Sequence, residues 1–163
     1  MHQHTHYPTD KTEAYTLILA QAIALFEDEQ DWIANCANLS ALLYDALPQI
    51  NWVGFYYLKG NQLVLGPFQG KLACTRIDWG KGVCMAALMS QKTTNVANVH
   101  EFEGHIACDS ASNSELVIPL ILNGQAIGVL DIDAPIFNRF DQIDEKYCEL
   151  IVTALLTKTK LDA

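Results

Sequence analysis

The sequence predicts an α+β fold with helices at both ends and an antiparallel sheet between them. Three observations predict it. Apolar residues recur with helical period near both termini, alternate with period two through the middle, and the alternating segments come in pairs joined by tight-turn dipeptides. At 163 residues, half of them apolar, the chain is long enough for one domain with a real core.

Asp10 followed by Glu13 has the pattern of a capping box, and the stripe Ala14, Ile18, Ala22, Leu25 gives the first helix its buried face. Residues 1–9, with alternating His2, His4 and His6, read as a disordered tail ahead of a single domain over residues 10–163. A second helix carries the stripe Ile33, Cys36, Leu43, Leu47 and stops at Pro48. Asn51 to Leu58 and Gln62 to Phe68 then read as strands turning at Gly60-Asn61, and Glu115 to Leu122 and Gln125 to Asp133 as a second hairpin turning at Asn123-Gly124. Between the hairpins fall a strand near Cys74 to Ile77, a short helix from Val83 to Gln91 and an extended piece at Thr94 to Val96. The last helix begins near Asp141 and turns Cys148, Ile151 and Leu155 to the core. Asn98 to Asn113 is the longest stretch without periodicity, and loops of that length in compact domains are usually functional or disordered.

The net charge of -9 argues against nucleic acid or an anionic membrane as partner, because both need a basic face. No signal peptide or membrane-length apolar run is visible, so a cytoplasmic location is expected. In that compartment thiols are held reduced, and a disulfide is expected to be transient and catalytic.

The five cysteines divide into three and two. Cys36 and Cys148 lie on apolar helical stripes and read as small hydrophobes. Cys74, Cys84 and Cys108 fall in a polar, glycine-punctuated stretch, the setting a reactive thiol needs. Cys108, within Gly104-His105-Ile106-Ala107-Cys108-Asp109-Ser110, is the foremost candidate. Cys84 follows Gly80-Lys81-Gly82 into the first turn of a helix, where free N–H groups and the dipole favour a thiolate; a core position is the equal alternative. His100, His105, Cys108 and Asp109 are possible zinc ligands, but only His105 and Cys108 form a close pair, so neither a resident metal nor a cofactor is expected.

The strands supply the rest. In Val129-Leu130-Asp131-Ile132-Asp133 the two aspartates share one face, and in the first strand Trp52, Gly54 and Tyr56 share another, leaving a recess between two rings. A solvated face and an ordinary core are the plain alternatives for these two patterns.

Gly66-Pro67-Phe68-Gln69-Gly70, Gly80-Lys81-Gly82-Val83-Cys84, Gly104 to Asp109 and Gly128 to Asp133, with Asn51 to Tyr56 and Arg139-Phe140-Asp141, closely resemble the free methionine-(R)-sulfoxide reductases, which are built on a GAF domain. The resemblance runs from about Tyr15 to Leu155. It implies a GAF-like, PAS-related antiparallel sheet with the terminal helices packed on one face and an active-site pocket on the other. It implies reduction of free methionine (R)-sulfoxide through a cysteine sulfenic acid and an intramolecular disulfide, reopened by a thioredoxin-like reductant, in a homodimer. It places the active-site cysteines on Cys74, Cys84 and Cys108, the substrate carboxylates on Glu115, Asp131 and Asp133, and the aromatic wall on Trp52 and Tyr56. Cys108 is then the nucleophile and Cys74 the main resolving partner, with Cys84 the rival for either role. A GAF ligand sensor without catalysis is the alternative reading.

Rate arithmetic ranks these groups. Lowering a thiol pKa by about two units from about 8.5 raises thiolate at neutral pH roughly 25-fold, but a Brønsted slope of about 0.4–0.5 removes roughly 8-fold in nucleophilicity. A positioned acid is worth about 10² to 10⁴. One of Glu115, Asp131 and Asp133, held protonated by its like-charged neighbours, is therefore expected to matter more than thiol activation.

Overall fold

The computed structural model describes residues 5–105 and 110–161. Six antiparallel strands form one sheet in the order β3-β2-β1-β6-β5-β4. The strands are β1 (Trp52–Lys59), β2 (Gln62–Gly70), β3 (Arg76–Asp78), β4 (Thr94–Val96), β5 (Ser114–Leu122) and β6 (Gln125–Ala134). Helices α1 (Lys11–Asp28) and α2 (Trp32–Ala46) precede the sheet, α3 (Gly82–Ser90) interrupts it, and α4 (Gln142–Lys158) follows it.

Both hairpins form where the turn dipeptides place them. Asn123 and Gly124 adopt φ 51° and 77°, the paired positive values a type I′ turn requires. The two hairpins then join through β1 and β6, whose register sets Trp52 opposite Asp133, Gly54 opposite Asp131 and Tyr56 opposite Val129. In β2, Gly66 and Pro67 fall where the β1–β2 register shifts, between Gly54 and Tyr56. A bulge tolerates Pro67, which has no N–H to donate to the ladder.

Side-chain alternation splits the interior into two cores. Val53 and Phe55 of β1, Leu116, Ile118 and Leu120 of β5, and Leu130 and Ile132 of β6 pack against α1, α2 and α4. On the opposite face Trp52, Tyr56, Val117 and Val129 pack against α3. Sheet residues are thus buried on both sides, which is why β5 reads as an almost unbroken apolar run.

Asp10 caps α1 by accepting from the Glu13 amide, and Asp141 and Asp144 form a full capping box on α4. Asp144 is fully buried and satisfied, accepting from the Tyr15 hydroxyl at 2.6 Å and pairing with Lys11 and Arg139, so it fastens α4 to α1. Two helical expectations are corrected. Ile33 is 65% exposed, because α2 is capped by Asp31 and turns Trp32, Asn35, Cys36 and Leu39 inward instead. On α1 the buried line ends at Phe26 and includes Tyr15, while Leu25 is only partly buried. The amino-terminal tail expected over residues 1–9 falls partly outside the described residues, and within them the Tyr7 hydroxyl donates to Gln21 at 2.9 Å. Cys36 and Cys148 sit in the core as free thiols, each pushed up to about 12 chiefly by burial.

Candidate active site

The face of the sheet under α3 carries the pocket. Alternation and register together put Glu115 of β5, Asp131 and Asp133 of β6, and Trp52 and Tyr56 of β1 on this one face. These five residues line a small cavity open to solvent, and Cys84, His105 and Ser112 line it with them.

The aromatic wall is fixed from behind. Trp52 stacks on Phe68 at 5.3 Å and on Tyr56 at 5.9 Å. Its indole N–H donates to the Lys71 carbonyl at 3.1 Å, and the Tyr56 hydroxyl donates to the Cys74 carbonyl at 2.8 Å. Gly54 lies between the two rings, and a Cβ there would stand 2.3 Å from Phe68 Cβ and 2.8 Å from Trp52 Cη2. Only glycine lets β2 approach this closely.

Glu115 and Asp131 are 6% and 5% exposed, and among the described residues no lysine or arginine lines the pocket. Burial, then the charges of Asp131 and Asp133, hold the Glu115 carboxyl well above its ordinary range. Burial likewise raises Asp131, to about 6. Such a pair retains a proton between its two carboxyls above the ordinary carboxylate range. The Asp131 carboxyl is hydrogen-bonded with Glu115 and Cys84, while its buried Oδ1 has no partner among the described residues. An ammonium group entering the pocket would meet an acceptor in need of a donor.

Cys84 does sit in the first turn of α3, as its position after Gly80-Lys81-Gly82 implied. Its setting opposes a thiolate. Burial, then Asp131, Glu115 and Asp133, push the thiol well above its ordinary value, and Sγ donates to Glu115 Oε1 at 3.7 Å. Three nearby carboxylates outweigh a helix end worth about 0.3–1 kcal/mol. Cys74 is disulfide-bonded, whereas Cys84 is a free thiol. Cys108, the foremost sequence candidate, lies outside the described residues. The loop before it is tied to α3 by the Gly82 amide, which donates to the Gly104 carbonyl at 2.9 Å.

A GAF domain model matches residues 13–155. The chain is 56% identical over 140 residues to protein YtsP of Bacillus subtilis, spanning 85% of this chain and 86% of that protein. It is 50% identical over 146 residues to the free methionine-R-sulfoxide reductase of Escherichia coli, spanning 90% of this chain and 88% of that one. It superposes with a TM-score of 0.92 on the X-ray structure of the free methionine-R-sulfoxide reductase of Neisseria meningitidis in complex with its substrate, at 42% identity over 97% of this chain and 95% of that chain. The chain belongs to the free methionine-R-sulfoxide reductases.

In this reductase six of the eight residues singled out by sequence, Trp52, Tyr56, Glu115, Asp131, Asp133 and Cys84, line the cavity, and the Cys74 carbonyl accepts from the Tyr56 hydroxyl. Sequence reasoning missed Ser112 and weighed His105 only as a metal ligand. Both line the pocket, and the Asn51 side chain donates to Ser112 Oγ at 3.2 Å. Their one signal was membership of the aperiodic segment 98–113, because an isolated Ser has no periodic pattern to mark it.

Proposed function

We propose that this pocket reduces free methionine (R)-sulfoxide to methionine, with the substrate's ammonium group seated among Asp131, Asp133 and Glu115 and its methyl group against Trp52 and Tyr56. The observation that carries the reading is the unpartnered Asp131 Oδ1, buried in a pocket lined by three carboxylates and, among the described residues, by no lysine or arginine. A free amino acid supplies a cation there; a peptide nitrogen does not. Preference for the free amino acid follows.

Cys108 attacks the sulfoxide sulfur as the thiolate. Glu115 protonates the sulfoxide oxygen, the oxygen passes to Cys108 as a sulfenic acid, and methionine leaves with the electron pair. The Cys74 thiolate then attacks the sulfenic sulfur and expels water, closing a disulfide that a thioredoxin-like dithiol reopens by exchange. The disulfide-bonded state of Cys74 supports this pairing, and the burial of Cys84 among carboxylates supports a supporting role for that thiol rather than attack. A homodimer in the cytoplasm completes the proposal.

The reduced protein is mixed with each epimer of free methionine sulfoxide, and thiols and methionine are counted. Loss of two thiols with one methionine formed, from the R epimer alone, is the expected result. Cys74→Ser should still form one methionine and retain a sulfenic acid trappable by dimedone. No thiol loss with either epimer would leave a ligand-sensing GAF domain as the better account.

A further inference from the structure

We infer that Cys84, Glu115 and Asp131 form a binding site for a thiophilic divalent cation of the Zn²⁺ or Cd²⁺ class, which occupies the pocket in competition with an ammonium ligand. One ligand atom from each residue lies within 4.8 Å of the others, and all three residues are buried. Cys84 Sγ and Glu115 Oε1 are 3.7 Å apart. Tetrahedral zinc with bonds of about 2.3 Å to sulfur and about 2.1 Å to oxygen places such ligands about 3.6 Å apart. The observation independent of this clustering is the buried Asp131 Oδ1, which accepts no hydrogen bond among the described residues. A buried carboxylate oxygen without a donor is costly to leave unpaired, and a bound cation offsets that cost.

The donors sit on rigid elements, α3, β5 and β6, so the cation finds a preformed cradle. One sulfur with two carboxylates suits a borderline metal and not magnesium, which demands six oxygens in near-octahedral array. Binding displaces the Cys84 thiol proton and the proton shared by Glu115 and Asp131, and water fills the fourth position. Cys84 is free while Cys74 is disulfide-bonded, so the site exists in the oxidised protein. No ligand spacing announced it, because the three residues come from separate elements. The competition rests on the proposed seating of the ammonium group; the metal site itself does not.

Cd²⁺ is titrated into the full chain with Cys74 disulfide-bonded, and thiolate-to-metal charge-transfer absorption is recorded in the ultraviolet. His2, His4 and His6 give no such band. One equivalent should saturate it, Cys84→Ser should abolish it, and Asp131→Asn should raise the half-saturating concentration by at least about 10-fold, since even outer-shell losses cost that much. Excess free methionine should raise it too. Absence of the band in the wild-type protein, or its persistence in Cys84→Ser, overturns the site whatever the variants' stability; an unshifted titration with methionine overturns the competition. Sulfoxide reduction by the metal-free reduced protein is assayed separately. A failed titration with intact turnover removes only the metal site, and a positive titration without turnover removes only the reductase reading.

Discussion

Glu115 and Asp131 lie on adjacent strands of the sheet, two residue pairs out of register, with Glu115 opposite Asp133 and Asp131 opposite Val117. That diagonal keeps both carboxylates on the pocket face and buries both, so neither dissipates its charge into water. The consequence is a buried pair that retains a proton, which the proposed mechanism assigns to Glu115, beside an Asp131 Oδ1 that has no hydrogen-bond partner among the described residues.

Glu115→Gln therefore should lower kcat by about 10² to 10⁴ while the variant still binds substrate, because the amide keeps the shape and removes the transferable proton. In the wild-type enzyme kcat should fall as pH rises through the elevated Glu115 value, the direction expected of a required acid. Steady-state kinetics from pH 6 to 9 check both; near-wild-type turnover in Glu115→Gln removes this residue from the chemistry.

The same burial has an energetic cost at neutral pH. Asp131 rises from 3.8 to about 6 on folding. Folding thus favours its neutral form, so its contribution to stability is fully present below about pH 4 and is lost as pH rises through 6. Asp131→Asn, permanently neutral, should melt higher than wild type at pH 8 and equally at pH 4. The limit is about 3 kcal/mol, at about 2–4 °C per kcal/mol for a chain of this size. Equal melting temperatures at both pH values would show that the charge is solvated.

Much of this arrangement was legible because the relevant signals were local. Asn123-Gly124 dictates its own turn, and alternation puts Asp131 with Asp133 and Trp52 with Tyr56 whatever the strands pair with. The meeting of those pairs was not legible from periodicity, since it depends on β1 joining β6 across the chain; resemblance supplied it. Ile33 misled for a physical reason: its spacing from Cys36 is helical, but the buried stripe runs through Trp32, Cys36, Leu39 and Leu43, and Ile33 falls just outside it. The true state of Cys84 depended on Glu115 and Asp131, which no local pattern joins to it. A first-turn position alone suggested the opposite.

Tyr56 links the wall to Cys74, the resolving thiol of the proposed mechanism. Its hydroxyl holds the Cys74 carbonyl at 2.8 Å, and burial raises the phenol so that it stays a donor. Tyr56→Phe keeps the ring and loses that bond, at about 1 kcal/mol. Methionine release in a single turnover should be unchanged, while disulfide closure slows several-fold and trapped sulfenic acid accumulates. Rapid-quench measurement of both steps separates them; equal slowing of both would place the hydroxyl on the substrate instead.

Gly54 tests whether the wall's position matters or only its presence. Alanine there brings a Cβ to 2.3 Å from Phe68 Cβ and 2.8 Å from Trp52 Cη2, so Phe68 and the indole stacked on it must move. Overpacking of this kind costs about 1–3 kcal/mol. Gly54→Ala should therefore melt several degrees lower and raise KM for free methionine sulfoxide several-fold, with kcat less affected because Glu115 stands on another strand. Gly60→Ala is the control. Its Cβ meets nothing within 4 Å, only its φ of 63° is strained, at about 1 kcal/mol, and it does not line the pocket. That variant should lose stability with KM unchanged. If the two variants shift KM alike, the effect belongs to general destabilisation, and the tilt of Trp52 carries no part of substrate binding.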